Sequence, residues 1–134
     1  MKLLAGLLLV GVIFAAPSIA TPLTDSTASI ARAFGNTLLS TYPDGRQARL
    51  WLNANGTYSA EGRNHQLGGG RWKLDQNKLC MRQTDPFPIP FRFCTPLQAA
   101  AAGTSWQAEA PTGEPIIITL VPGRPADQAQ QASN

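Results

Sequence analysis

The sequence predicts a mainly β protein: a small antiparallel meander barrel with one short N-terminal helix and one disulfide. Tight-turn signals recur through the middle of the chain, and Asp44-Gly45 and Asn55-Gly56 lie between runs that alternate apolar and polar residues. Glycine supplies the positive φ that primed hairpin turns require, so these pairs mark antiparallel hairpins. A succession of such short runs favours a meander that closes into a barrel or folds into a sandwich.

The first predicted element is a helix over Thr24–Phe34. Hydroxyl and carboxylate side chains at 24–26 can cap its start, and Gly35 stands where a helix often ends. Ile30 and Phe34 share one face of it. A helix this short forms only by packing on something else, so we expect it to cap an open end of the barrel.

The strands follow from runs in which every second residue is apolar, the pattern of a sheet with one buried face. The predicted strands of the meander are Thr37–Tyr42, Gln47–Leu52, Thr57–Gly62, Arg71–Leu74, Lys78–Gln83 and Phe91–Leu97. Two later strands are Ser105–Ala110 and the β-branched Ile116–Val121. Gly68-Gly69-Gly70 is interpreted as a turn. The alternation places in the core Leu50, Leu52, Tyr58, Trp72, Leu74, Met81 and Phe93.

Residues 1–20 have the pattern of a signal peptide. Lys2 precedes the apolar run Leu3–Ala16, Pro17 breaks it, and Ser18-Ile19-Ala20 matches a small-x-small cleavage site. At ~1.5 Å per residue the run spans roughly 21 Å, short of the ~30 Å hydrocarbon core of a membrane. We therefore expect cleavage after Ala20 and a periplasmic or secreted protein without a membrane span.

The rest of the chain is expected to form a single β-barrel domain over 21–121. Residues 122–134, rich in Pro, Ala, Gln and Ser, are interpreted as a disordered tail. The chain has 11 Lys and Arg against 8 Asp and Glu, a net charge of +3. This modest excess lacks the dense basic stripe of a nucleic-acid-binding protein, so nucleic acid is not an expected partner. A monomer is expected.

The only two cysteines, Cys80 and Cys94, are expected to form a disulfide, the default for an even pair in an exported protein. Closing a loop of about 15 residues stabilises by roughly 3 kcal/mol in the chain-entropy model. If the cysteines face each other across antiparallel strands, Met81 opposes Phe93 on the apolar side.

The same register places Arg82 opposite Arg92. Like charges directly opposed across a sheet are unfavourable. A carboxylate, of which Asp85 is nearest in sequence, the solvent, or a bound anion would relieve them.

The connection after the first cysteine strand, Thr84–Pro90, alternates proline with apolar residues. Prolines impose an extended path and remove backbone donors, so this loop cannot continue the ladder. Phe87 and Ile89 either fold over the barrel mouth as a lid or stand exposed as a binding edge.

Catalytic and metal chemistry have little support. His65 is the only histidine and lies in a polar segment, where a solvated turn residue is the simpler interpretation. A metal site would need several ligands at matching spacing, and the glycine run lacks the lysine of a phosphate loop. We therefore expect no cofactor, no metal and no enzymatic activity.

One set of motifs resembles a group of small exported bacterial proteins of unknown function that are taken to have a lipocalin-like β-barrel. The resemblance covers about residues 35–97 and implies no catalytic residues. A looser, architectural similarity is to periplasmic inhibitors of secreted metalloproteases, in which an N-terminal segment, here Thr21-Pro22-Leu23, enters the protease. The motifs of the first resemblance are Gly35-Asn36-Thr37-Leu38, Asp44-Gly45, Asn55-Gly56-Thr57-Tyr58, Gly70-Arg71-Trp72, Leu79-Cys80 and Cys94.

Two functional hypotheses follow. In the first, the barrel is a non-catalytic binding protein for a small apolar or amphipathic ligand, because small barrels can either fill with side chains or hold one ligand. In the second, it is a protein-interaction module or protease inhibitor that acts through the Pro86–Pro90 loop or the mature N-terminus. The candidate binding residues are Phe87, Ile89, Arg82 and Arg92.

Overall fold

A computed structural model describes residues 11, 15–16, 26–99 and 101–125. The predicted cleavage site, the mature N-terminus and residues 126–134 of the predicted tail lie outside the described residues. No helix in the described part of the chain has both the length and the apolar character needed to cross a membrane.

One short helix precedes an eight-stranded antiparallel sheet that curls into a nearly closed barrel. The predicted fold class is confirmed. The strand order is β6-β5-β4-β3-β2-β1-β8-β7. The elements are α1 (Ser26–Ala33), β1 (Thr37–Thr41), β2 (Gln47–Leu52), β3 (Thr57–Glu61), β4 (Leu67–Asp75), β5 (Lys78–Asp85), β6 (Phe93–Pro96), β7 (Ser105–Glu109) and β8 (Pro115–Val121).

A buried apolar cluster fills much of the barrel interior, and α1 packs against it. Ile30 and Ala33 of the helix join a cluster of buried apolar side chains from the strands. Among the predicted core residues, Leu52 is buried, and Leu50, Tyr58, Trp72, Leu74 and Met81 are partly buried against this cluster. Phe93 is also half-buried. The remaining members of the buried cluster are Leu38, Leu79, Leu97, Ala99, Trp106, Ala110, Ile116, Ile118 and Leu120.

A second buried region covers the outside of the barrel around Trp51. The alternation puts Trp51 on the face opposite Leu50, yet only 1% of it is exposed, and its indole nitrogen donates to Thr37 Oγ1 over 2.9 Å. The chain after β8 runs along this face: Thr37 Oγ1 donates to the Gly123 carbonyl, and Arg124 donates to Asn53 Oδ1. Residues 123 and 124, assigned by composition to a disordered tail, are therefore bonded to the barrel.

The glycine run Gly68-Gly69-Gly70 lies inside β4, so its interpretation as a turn is wrong. These glycines let the backbone of β4 approach its neighbours closely at a bulge in the β4–β5 register. A Cβ at Gly69 would lie 2.7 Å from the Tyr58 carbonyl oxygen, and one at Gly70 would lie directly against the Arg82 carbonyl. A run of glycines is typical of a turn, but glycine is also favoured inside a strand where another backbone approaches closely.

Replacing Gly70 with alanine is expected to destabilise the protein by about 1–3 kcal/mol, because the new methyl group must displace the backbone of β5. Gly62→Ala is the matched control, since its methyl group would meet the movable end of the Gln66 side chain at 3.2 Å. The measurement is the free energy of unfolding in urea. Equal free energies for the two variants would contradict this account of β4.

Candidate binding site between the edge strands

The barrel has one open line, which we call the seam, between β6 and β7. These strands are the two ends of the strand order, and no hydrogen-bonded ladder joins them. On their other sides, β6 pairs with β5 and β7 pairs with β8. Side chains from the inside of the barrel can therefore reach solvent along the seam.

A cleft of about 830 Å³ lies along the seam. Its lining includes Phe93, Ala108 and Ile116, which lie on the same face of their strands as buried residues and therefore face the barrel interior. Ala108 and Ile116 are partners in the β7–β8 ladder. The cleft thus joins the outer surface to the apolar interior.

Small inward side chains leave space at the barrel end away from α1. Ser40 pairs with Ala48 in the β1–β2 ladder, and Ala60 pairs with Gly68 in the β3–β4 ladder. All four are only partly buried. These small side chains occupy less of the interior than the leucine, isoleucine and tryptophan side chains of the buried cluster.

Polar side chains line the outer edge of the cleft. They come from several strands and include both charges, with Lys78 at the start of β5 and Glu109 at the end of β7. Thr41 and Gln107 add neutral hydrogen-bonding groups. The cleft is therefore apolar on its inner side and polar at its outer edge.

An ionic network ties together three loops at the rim of the cleft. Arg63 donates two hydrogen bonds to the Glu114 carboxylate, at 2.8 and 3.0 Å, and lies 3.7 Å from Asp44. Its guanidinium also lies 4.4 Å from the centroid of the Tyr42 ring, which lines the cleft. The hydrogen bonds from Arg63 lower the pKa of Glu114, and those from Arg46 lower the pKa of Asp44.

The disulfide forms as predicted, between Cys80 and Cys94 with Cα atoms 4.0 Å apart. The predicted register is also confirmed, since Met81 pairs with Phe93 and Thr95 pairs with Leu79.

The structure separates the predicted binding residues into two places. Phe87, with 61% of its surface exposed, lies in the loop between β5 and β6, where Ile89 is half-buried. The loop is held to β5 because Gln83 accepts a hydrogen bond from the Ile89 amide and donates one to the Phe87 carbonyl. Phe91 was predicted to begin the strand Phe91–Leu97, but β6 begins only at Phe93, so Phe91 lies in the same connection as Phe87 and is 69% exposed.

Arg82 and Arg92 lie on the outer face, away from the cleft lining. Arg92 forms an ion pair with Asp75 at 2.8 Å, so the expectation that Asp85 would be the relieving carboxylate is wrong. The Arg92 side chain reaches across β5 to the end of β4. Arg82 pairs in the ladder with Arg71, which sequence reasoning did not select although Arg71 begins the predicted strand Arg71–Leu74.

His65 adopts a left-handed turn conformation, and its side chain is 84% exposed. Its Nδ1 lies 2.9 Å from a carboxylate oxygen of Glu61. Within the described ranges, no group of three or more His, Cys, Asp or Glu residues could hold a metal ion.

The comparisons with known proteins yield no relatives: no family model, no curated protein and no solved structure matches this chain. The resemblances suggested by the motifs therefore stay predictions, and function has to be argued from the geometry.

The rim network is expected to make stability sensitive to acid. Because Glu114 and Asp44 have lowered pKa values when folded, their contribution is complete above their unfolded values, about 4–4.5, and is lost as pH falls through the folded values. The free energy of unfolding of the wild type should thus fall more steeply below about pH 4.5 than that of Arg63→Gln.

Urea unfolding over a pH series, with a carbon-13 NMR titration of the Glu114 carboxyl group, measures this effect. In Arg63→Gln the pKa of Glu114 should rise toward its ordinary value. Arg49→Gln is the control, because Arg49 pairs with Glu61 outside the network. Parallel stability curves for wild type and Arg63→Gln would show that the network does not contribute.

Proposed function

We propose that this chain is a non-catalytic, exported β-barrel protein that binds a small apolar or amphipathic ligand in the seam cleft. The observation that carries the proposal is the cleft of about 830 Å³ that opens into the apolar interior between β6 and β7. Ligand pockets in proteins are commonly about 300–1,000 Å³, mostly apolar, with a few polar groups that orient the ligand.

The lining favours an amphipathic ligand with a short apolar portion. Phe93, Ala108 and Ile116 offer apolar contact toward the interior, whereas Lys78 and Glu109 offer charged partners at the edge. The interior beside them is occupied by Trp106, Ile118 and other side chains of the buried cluster. An apolar group can therefore enter only part of the barrel, with its polar end at the seam.

The export part of the proposal rests on the leader pattern of residues 1–20 and on the disulfide, since disulfides persist in oxidising compartments. Its non-catalytic part is supported by the surroundings of His65. That side chain is exposed and paired with Glu61, and it is not among the residues lining the seam cleft.

Filling the cleft is expected to weaken ligand binding. Ala108→Leu adds apolar volume at the inward-facing wall, and dodecanoate binding should weaken roughly tenfold, because overpacking costs on the order of 1–3 kcal/mol. Ala54→Leu, in the exposed turn between β2 and β3, is the matched control. The assay is dodecanoate displacement of the fluorophore 1-anilinonaphthalene-8-sulfonate, with a thermal melt of each variant.

Native mass spectrometry of the full chain complements this assay by detecting a copurified adduct that is lost on denaturation. The absence of both an adduct and dodecanoate binding, or equal weakening in Ala108→Leu and Ala54→Leu, would contradict a ligand site in the cleft.

A second candidate function is that of a protein-interaction module or protease inhibitor acting through the Pro86–Pro90 loop or the mature N-terminus. The observation that favours it is the exposure of Phe87 and Phe91 in one connection, since contiguous exposed apolar surface often marks an interaction site. The mature N-terminus lies outside the described residues and adds no structural support.

Under this second candidate, Phe87→Ala should abolish capture of an envelope-protein partner and leave the melting temperature unchanged, because the ring is mostly exposed. Phe34→Ala is the contrasting variant: its ring packs against the core, 5.8 Å from that of Trp72, so its loss should lower the melting temperature. The measurements are pull-down with the immobilised full chain and thermal unfolding. A large drop in melting temperature for Phe87→Ala would show that the ring packs in the core, and it would contradict the loop-contact role.

A further inference from the structure

The outer face of β4, β5 and the start of β6 carries a group of exposed cations. We call Arg71, Lys73, Arg82 and Arg92 the basic face. Arg71 and Lys73 alternate along β4 on the side opposite Trp72, whose ring packs with Phe34 near the helix. All four line one hollow.

The three arginines of this face line the hollow in a row. Arg71 and Arg82 are direct partners in the β4–β5 ladder. Arg92 directly precedes β6 and lines the same hollow. Directly opposed residues of an antiparallel ladder have Cα atoms about 5 Å apart, so the Arg71 and Arg82 side chains start close together.

This row is poorly neutralised. Arg92 pairs with Asp75, at 2.8 Å. In the described part of the chain, the side chains of Arg71, Lys73 and Arg82 form no hydrogen bond and no ion pair. Like charges directly opposed across a ladder are destabilising, so the fold holds these cations together at some cost in stability.

The basic face is also concave and rigidly supported. The hollow has a volume of about 500 Å³ and includes Gly56, whose missing side chain leaves space at its edge. Cys80 lies on the same side of β5 as Arg82 and lines the hollow, so the disulfide to Cys94 joins β5 and β6 beneath the cations. The backbone that carries these cations would therefore need little reorganisation when a ligand binds.

We propose that the basic face is an anion-binding site for a ligand that carries phosphate. Guanidinium groups bind phosphate oxygens through paired N–H donors, and Arg71 and Arg82 are direct ladder partners whose side chains can both contact one phosphate group. Asp75 holds Arg92 at one end and leaves Arg71 and Arg82 as the free donors. The hollow shares no lining residue with the seam cleft, so this site does not depend on the proposed function.

The test is isothermal titration calorimetry of the full chain with inorganic pyrophosphate. Wild type should bind with saturation at one site. The double variant Arg71→Gln/Arg82→Gln should lose roughly tenfold in affinity per arginine removed. Arg46→Gln/Arg49→Gln removes the same charge from elsewhere on the barrel and should bind as the wild type does.

A second arm distinguishes a lipid headgroup from a free phosphate compound. Vesicles of phosphatidylglycerol and of phosphatidylcholine are compared at the same ionic strength. Binding to pyrophosphate indicates a soluble ligand, whereas binding only to phosphatidylglycerol vesicles, lost in Arg71→Gln/Arg82→Gln, indicates a headgroup at the same site. Failure to bind either probe, or equal loss in the control variant, overturns the proposal.

Folding of the variants is checked by thermal unfolding without ligand. Removing opposed like charges should leave the melting temperature unchanged or raise it. If the double glutamine variant fails to fold, Arg71→Lys/Arg82→Lys takes its place, since lysine keeps the charge and loses the paired donors. Full pyrophosphate affinity in that lysine variant would contradict guanidinium recognition.

Discussion

The ladder between β1 and β8 is the contact on which the rest of the barrel depends. It pairs Thr37 with Val121 and Thr41 with Ile117, positions far apart in the chain, and so turns a meander into a nearly closed barrel. Leu38 and Leu120 are partners within it and both are buried. The chain entropy lost in this long closure is offset by that apolar burial. Because β7 pairs with β8, the β1–β8 ladder also brings β7 next to β6, and the seam lies between these two strands.

The two candidate sites lie on either side of β6, and they differ because one edge of this strand is unpaired and the other is bonded to β5. Toward β7, the edge of β6 is left unpaired, and the interior is accessible through a cleft with apolar walls. Toward β5, the Cys80–Cys94 disulfide fixes the strand, and the basic face lies over it. The seam cleft offers apolar burial and the basic face offers positive charge, so the short strand β6 lies between two sites that suit different ligands.

Local pattern predicted most of the fold because hairpins are local structures. The strands from β1 to β3 and the cysteine register were predicted within a residue or two, since turn residues and alternation set them directly. Predictions were wrong where a residue's role depends on a distant neighbour. Gly68-Gly69-Gly70 has the composition of a turn, yet it is strand because β3 and β5 press against it. The burial of Trp51 was not predicted, because it lies opposite the apolar face of β2 and the chain at Gly123 passes along its side of the barrel.

By itself, the sequence determined the fold class, the strand pattern, the disulfide and the pairing of Met81 with Phe93, because propensity, turn chemistry and alternation act over a few neighbouring residues. It also marked Arg82 and Arg92 as opposed charges. Only the tertiary structure decided that Arg71 completes their row and that Asp75, not Asp85, is the partner of Arg92. The seam likewise exists only in the closed barrel. Which strands become edges, and which charges meet across them, depends on contacts between distant parts of the chain, and single-sequence patterns do not record those contacts.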